Sequence, residues 1–198
     1  MIHLLFIRHG ATAGNLEKRY IGRTDEPLCK QGIAQIAALK GRGIKADYVF
    51  VSPMQRTRQT AQILFPGQTH VEASGFRETD FGIFEGKTAR ELSDNENYRR
   101  WVDSYCRDPI PEGESVDAFK VRCCQEFLNR IGEIQDQSTA AFVVHGGTIM
   151  AILEAYARPE KDFYSYHIKN GQVVCADFAD GVIAIRTYGK KAENSRSV

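Results

Sequence analysis

The sequence predicts an α/β fold: a three-layer α/β/α sandwich around a mostly parallel sheet. Three observations carry that expectation. First, the unbroken apolar runs "IHLLFI" (2–7), "DYVFVS" (47–52) and "AAFVV" (140–144) are rich in β-branched and aromatic residues, as strands buried on both faces are. Second, helix-patterned segments alternate with these runs, at Gln31–Lys40, Gln55–Leu64, Val116–Ile134 and Thr148–Ala157. Third, no internal repeat or Pro/Gly/Ser-rich linker divides the 198 residues, so 1–198 reads as one domain.

The later apolar runs "VVCADF" (173–178) and "VIAIRTY" (182–188) flank the turn Asp180-Gly181, which predicts an edge hairpin. Residues 80–115 break the strand–helix rhythm. They are polar and dotted with aromatics, and read as a partly helical, lid-like insertion over one end of the sheet. The polar residues 190–198 read as a disordered tail.

Composition excludes several classes. With 42% hydrophobic and 26% charged residues the chain can bury a substantial core, and a net charge of +1 gives no reason to expect a nucleic-acid or anionic-membrane surface. No stretch approaches the roughly 20 apolar residues that span a bilayer, and Arg8 cuts short the N-terminal run that a signal peptide would need. Five cysteines, Cys29, Cys106, Cys123, Cys124 and Cys175, form no CxxC pair, which suits free thiols in a reducing cytoplasm. A redox or metal role for adjacent Cys123 and Cys124 is the weaker reading, because neighbours on a helix point in different directions. The oligomeric state is open, a homodimer included.

Each of the three buried runs is followed by basic residues: Arg8-His9 after the first, Ser52-Pro53 and then Arg56 after the second, His145-Gly146-Gly147 after the third. Parallel strands end on one side of a sheet, and ligands collect in the crevice beyond them. Arg8, His9, Arg56 and His145 are therefore expected to converge there, joined by helix N-termini near Pro53 and Thr148. Glycines 10, 146 and 147 would let backbone N–H groups approach a ligand. Such a pocket suits a compact dianion, phosphate above all. A zinc site on His9 and His145 is disfavoured, since two arginines would repel the metal. His3, His70 and His167 stand alone and read as structural.

"RHGATAGN" resembles the RHG signature of the histidine phosphatase superfamily, the phosphoglycerate-mutase-like proteins. "RYIGRTDEPLCKQG", "SPMQRTRQTA", "ETDFGIFEG" and "VVHGGTI" continue the resemblance in the family's order over nearly the whole chain. The resemblance implies a metal-independent and cofactor-free enzyme with a small-molecule phosphomonoester substrate. His9 would be the nucleophile that becomes phosphorylated. Arg8, Arg56 and His145 would bind the phosphoryl group, with His145 protonated when phosphate is bound. Asn15 would be an additional phosphate ligand, the Ile21-Gly22 turn and Gly146 would offer backbone contacts, and Glu78 would be general acid and then general base. At Cys29 the family pattern would offer a hydroxyl helix cap, and cysteine is expected to cap poorly.

Glu78 is followed by Thr79-Asp80-Phe81, like the family's phosphatase branch, where the mutase branch typically has Arg-His-Tyr. Its compact length with "RYIGRTDEPL", "PEGES" and "HGGTI" is similar to the α-ribazole phosphatases of cobalamin synthesis and to small phosphatases of broad specificity. A phosphoglycerate mutase is the rival. A non-catalytic phospho-ligand scaffold is the alternative of another class, which retention of His9, His145 and Glu78 disfavours. Within 80–115, Arg90, Tyr98, Arg99, Arg100, Trp101 and Tyr105 are candidate leaving-group contacts. Trp101 and Tyr105, four residues apart, are expected mainly to pack the insertion onto the body.

Overall fold

In a computed structural model, residues 1–188 are described; the expected tail at 190–198 lies outside them. Seven strands form one sheet: β1 (Ile2–Arg8), β2 (Tyr48–Val51), β3 (Val71–Glu72), β4 (Thr139–Val144), β5 (Ala157–Arg158), β6 (Val173–Ala179) and β7 (Val182–Tyr188). Their order is β3-β2-β4-β1-β6-β7-β5. The pairs β2–β3, β2–β4, β1–β4 and β5–β7 are parallel, whereas β6 runs antiparallel to both β1 and β7. The expected hairpin is therefore present, but β6 lies inside the sheet against β1 and only β7 approaches the edge, where two-residue β5 closes it. Alternate strand residues face opposite layers, the period-2 rule of a pleated strand. Phe6, Phe50 and Phe142 stack on one face, and Val49, Val51, Ala141 and Val143 fill the other.

Helices cover both faces. The Phe142 face is closed by α5 (Val116–Ile131), through Phe127, and by α6 (Gly146–Tyr156), through Ile149, Ile152 and Leu153. The opposite face is closed by α2 (Lys30–Lys40), through Ile36 and Leu39, and by α3 (Gln55–Leu64), through Ala61 and Leu64. Each fully buried large apolar side chain contributes about 1.5–3 kcal/mol of transfer free energy. Two short helices complete the set, α1 (Ala13–Leu16) and α4 (Glu96–Asp103). Caps fix the helix starts: Ser115 accepts from the Ala118 N–H, and Asn95 from the Tyr98 N–H. Cys29, expected to be a poor cap, does cap α2, its Sγ accepting from the Gly32 N–H at 3.4 Å.

Residues 80–115 pack around their own small core of Phe84, Leu92, Tyr98, Trp101 and Ile110. Trp101 is buried there as expected. Tyr105 is not: it is 80% exposed, because the chain leaves α4 through two positive-φ residues, Tyr105 and Cys106, which turn its ring outward. Arg90, Arg99 and Arg100 also lie exposed. Cys123 is buried and Cys124 half-buried; burial raises both thiols, Cys124 to about 11, so both stay protonated. Among the described residues no helix is long and apolar enough to cross a membrane.

Candidate active site

The register of the three parallel strands builds the site. Arg8 pairs with Val144 across β1 and β4, and Val51 with Val143 across β2 and β4. The chain emerges from all three at one level: His9 donates its N–H to the Val144 carbonyl and Ser52 to that of Val143. His9 and His145 consequently meet edge to face, ring centroids 5.2 Å apart. Arg56, in the first turn of α3, reaches in from the side with its Nε 3.3 Å from His145 Nδ1. The four residues expected to converge do so, and His9, Arg56 and His145 are buried.

Hydrogen bonds settle the tautomers. His9 Nδ1 lies 2.7 Å from the Gly10 carbonyl oxygen. A carbonyl only accepts, so Nδ1 carries the proton and Nε2 presents its lone pair. The described residues give Nε2 no hydrogen-bond partner. Burial, reinforced by Arg56 and Arg8, holds the imidazole well below its ordinary pKa, so it stays neutral. His145 is the mirror case. Arg56 Nε–H can only donate, so Nδ1 accepts and the Nε2–H donates to Ser52 Oγ at 2.8 Å. Burial first, then Arg56, His9 and Arg8, keep it neutral as well. The expectation for His145 concerns the phosphate-bound site, where a dianion would act in the opposite direction; burial and the Arg56 and Arg8 guanidiniums by themselves oppose a further positive charge.

The arginines are clamped. Arg56 donates through Nη1 to the Thr24 carbonyl and through Nη2 to that of Gly22, at 2.8 and 2.9 Å. Arg8 donates through Nη1 to the Ile168 carbonyl, while its buried Nε has no partner among the described residues. Glu78 accepts from the Gly147 N–H and the Thr79 N–H, both at 3.0 Å, which seats its carboxylate at the N-terminus of α6. Arg122 fixes the backbone behind it, donating to the carbonyls of Gly75, Arg77 and Glu78 while paired with Glu114.

Asn15 sits at the rim. Its Oδ1 accepts from Thr12 N–H, as half of a capping box, and from Asn170 Nδ2, which leaves its own NH₂ as the end available to an anion. The Ile21-Gly22 turn is tied down rather than open: the Gly22 N–H donates to Glu85 Oε1 at 2.7 Å and its carbonyl receives Arg56. Glu85 also accepts from the N–H groups of Thr24 and Phe81, so one carboxylate holds the loop that holds Arg56. The glycines expected to offer N–H groups mainly serve close packing. The Gly10 N–H is spent on Thr60 Oγ1, and a Cβ on Gly10 would fall 2.6 Å from the Gly32 carbonyl of α2. Gly146 lies beneath the Arg8 guanidinium, where a Cβ would be 3.1 Å from its Cζ.

The sequence reading missed Ser52, Thr60, Glu85, Arg122 and Asn170. Ser52, Thr60 and Glu85 stand inside quoted motifs, and that adjacency was the available signal. His3 and His70 are structural as expected, bonded to Asp177 and to the Phe65 carbonyl. His167 lines a cavity beside Arg8 and Glu78. The site has a neutral nitrogen nucleophile, fixed cations around it, and a carboxylate that can carry a proton. Those are the parts of phosphoryl transfer through nitrogen.

Known proteins resemble this chain over most of its length. The adenosylcobalamin/alpha-ribazole phosphatase of Salmonella typhi is 26% identical, over 96% of this chain and 98% of that protein. A probable phosphoglycerate mutase of Enterobacter sp. (strain 638) is 32% identical, over 74% and 70% of the two chains. The solved alpha-ribazole phosphatase from Shigella flexneri superposes with a TM-score of 0.86 at 25% identity, covering 98% of this chain and all of the other. The family model for the histidine phosphatase superfamily (branch 1) matches residues 4–191, and the chain belongs to that superfamily.

Proposed function

We propose that the protein is a metal-independent phosphomonoester hydrolase that works through a phosphohistidine at His9, in a single domain of a reducing cytoplasm. The observation that carries this is the His9 tautomer: Nδ1–H is held by the Gly10 carbonyl and Nε2 is left free, between Arg8, Arg56 and His145. The phosphoryl oxygens bind the free donors of Arg8, Arg56 and Asn15, and charge spreading over them in the transition state meets cations already in place. His9 Nε2 attacks phosphorus, the P–O bond to the leaving group breaks, and Glu78 supplies the proton to the departing oxygen. In the second step Glu78 takes a proton from water as its oxygen attacks phosphorus, and the P–N bond breaks, restoring neutral His9.

Hydrolysis is favoured over the mutase reaction because Glu78 borders two cavities, of about 370 and 630 Å³, so water reaches the phosphohistidine. The near full-length likeness to alpha-ribazole phosphatases supports α-ribazole 5′-phosphate as the substrate. The test is phosphate release, in the presence of EDTA, from a panel of monoesters that includes α-ribazole 5′-phosphate and 3-phosphoglycerate. A clear kcat/KM preference for the former is expected. Efficient conversion of 3-phosphoglycerate to 2-phosphoglycerate with little free phosphate would overturn the reading.

A further inference from the structure

The motif "PEGES" (111–115) closes the insertion and has no part in the chemistry above. Its backbone crosses the start of the insertion: the Ile83 N–H donates to the Pro111 carbonyl at 3.1 Å, and the Glu114 N–H to the Asp80 carbonyl at 3.0 Å. A Cβ on Gly113 would fall 2.5 Å from the same Asp80 oxygen, so the two ends of the insertion meet just beyond Glu78. The Glu114 side chain turns towards α5. Its Oε1 and Oε2 accept from Nε and Nη2 of Arg122, at 2.8 and 2.6 Å, a fork-on-fork pair whose side chains are only 19% and 23% exposed.

A guanidinium carries five N–H groups. Arg122 gives two of them to Glu114 and two, from Nη1, to the Gly75 and Arg77 carbonyls at 2.8 Å each. The second N–H on Nη2 faces the Glu78 carbonyl at 3.4 Å, and Cys123 Sγ lies 4.0 Å from Nη1 as a spare acceptor. Every donor therefore has an acceptor, and although Arg122 lines the larger cavity it keeps none for an anion there. Phe119 supports the guanidinium, its ring centroid 5.1 Å from Cζ. The carbonyls gathered on this one cation belong to the segment that ends in Glu78, whose carboxylate then reaches the N–H groups of Gly147 and Thr79. Lysine, a point charge with three donors, cannot span a carboxylate and three carbonyls at once.

We propose that Arg122, locked by Glu114, is the positioning residue for the proton carrier: it fixes the backbone from which the Glu78 carboxylate reaches the departing oxygen, and touches no substrate itself. This rests on the phosphatase reading and deepens it, giving "PEGES" a part in the acid step. The start of the segment has other moorings: Glu126 accepts the Gly75 N–H, and the Thr148 hydroxyl donates to the Phe76 carbonyl. Loss of the Arg122 fork therefore frees the end of the segment, at Arg77 and Glu78. The phosphate pocket stays in place, because Arg8, His9, Arg56 and Asn15 are held by other partners.

The test is Arg122→Lys, which keeps the charge and loses the fork, beside Glu114→Gln, which keeps the shape and loses one arm of the pair. With α-ribazole 5′-phosphate as the alkyl ester, kcat/KM is expected to fall on the order of tenfold to a hundredfold in Arg122→Lys, and less in Glu114→Gln. The kcat/KM for p-nitrophenyl phosphate, which needs no proton as it breaks, and the inhibition constant of inorganic phosphate should stay near wild type. In a Glu78→Gln background, Arg122→Lys should add no further loss, because the carboxylate it positions is gone. A merely structural role would lower both esters and phosphate affinity together and would add to Glu78→Gln. That pattern, or wild-type activity on the alkyl ester in both variants, overturns the proposal. If thermal melts show Arg122→Lys unfolded, Glu114→Gln and its double variant with Glu78→Gln carry the same comparison. The underlying reading fails differently. Full alkyl-ester activity in Glu78→Gln refutes the acid assignment and the positioning role with it, whereas a defective Glu78→Gln beside an unaffected Arg122→Lys refutes the positioning role alone.

Discussion

Gly147→Ala moves the proposed proton carrier without altering its chemistry. Gly147 is a helical residue of α6 whose N–H holds Glu78. An ideal Cβ there would lie 2.3 Å from Glu78 Oε1 and 3.0 Å from Phe119 Cζ, against an ordinary contact of at least 3.4 Å. The carboxylate must therefore retreat by about 1 Å, and misplacement on that scale costs on the order of a hundredfold in rate, about 2.7 kcal/mol of transition-state stabilisation. Stability should barely change. Alanine gains up to about 1 kcal/mol over glycine in a helix, which offsets the crowding at Phe119. The loss should also depend on the leaving group. An alkyl phosphate must be protonated as it departs, whereas p-nitrophenolate leaves unaided, so the defect in the first step should be large for the former and small for the latter. The assay is kcat/KM on both substrates beside a thermal melt. Full activity on the alkyl ester, or an equal loss on both substrates, would refute Glu78 as the acid.

Three further outcomes follow from the geometry. His9 and His145 have folded-state pKa values well below the ordinary range, so below about pH 6.5 the unfolded chain binds protons that the native chain refuses. The melting temperature should fall as pH drops from about 7.5 to about 5.5, and the fall should be shallower in His9→Gln; identical slopes would contradict the buried neutral imidazole. In Gly22→Ala the Cβ would fall 1.7 Å from the Thr79 carbonyl oxygen, so the loop must shift and release Arg56. The variant should lose about 1–3 kcal/mol of stability in urea denaturation together with most of its activity, and a wild-type profile would refute the loop's role. Cys29→Ser replaces a long sulfur cap on α2 with a hydroxyl and should raise stability by about 0.5 kcal/mol; a loss would show that the sulfur makes the better cap.

What the sequence made legible was whatever a local pattern encodes. Apolar runs marked the three central strands, and their parallel packing placed Arg8, His9, Arg56 and His145 together before any coordinates. The edge was harder. Whether "VVCADF" lies inside or outside the sheet depends on its pairing with β1, a contact between residues some 170 positions apart that no local pattern encodes. Protonation was also hidden: the burial and the neighbouring guanidiniums that lower His145 come from segments far apart in the sequence. The glycines were legible as close approaches, but not which atom would approach, since the Gly32 backbone next to Gly10 comes from α2, a separate element further along the chain. Asn170 left no signal at all. It reaches His9 and Asn15 across about 160 residues, from a turn before β6.

The central claim is a covalent one, at one nitrogen. Rapid mixing with ³²P-labelled substrate, an alkaline quench and peptide mapping would test it most directly. The account predicts a label on residue 9 that survives alkali, is lost in acid, and is absent in His9→Ala. A turning-over enzyme with no label, or with the label on another residue, would contradict it.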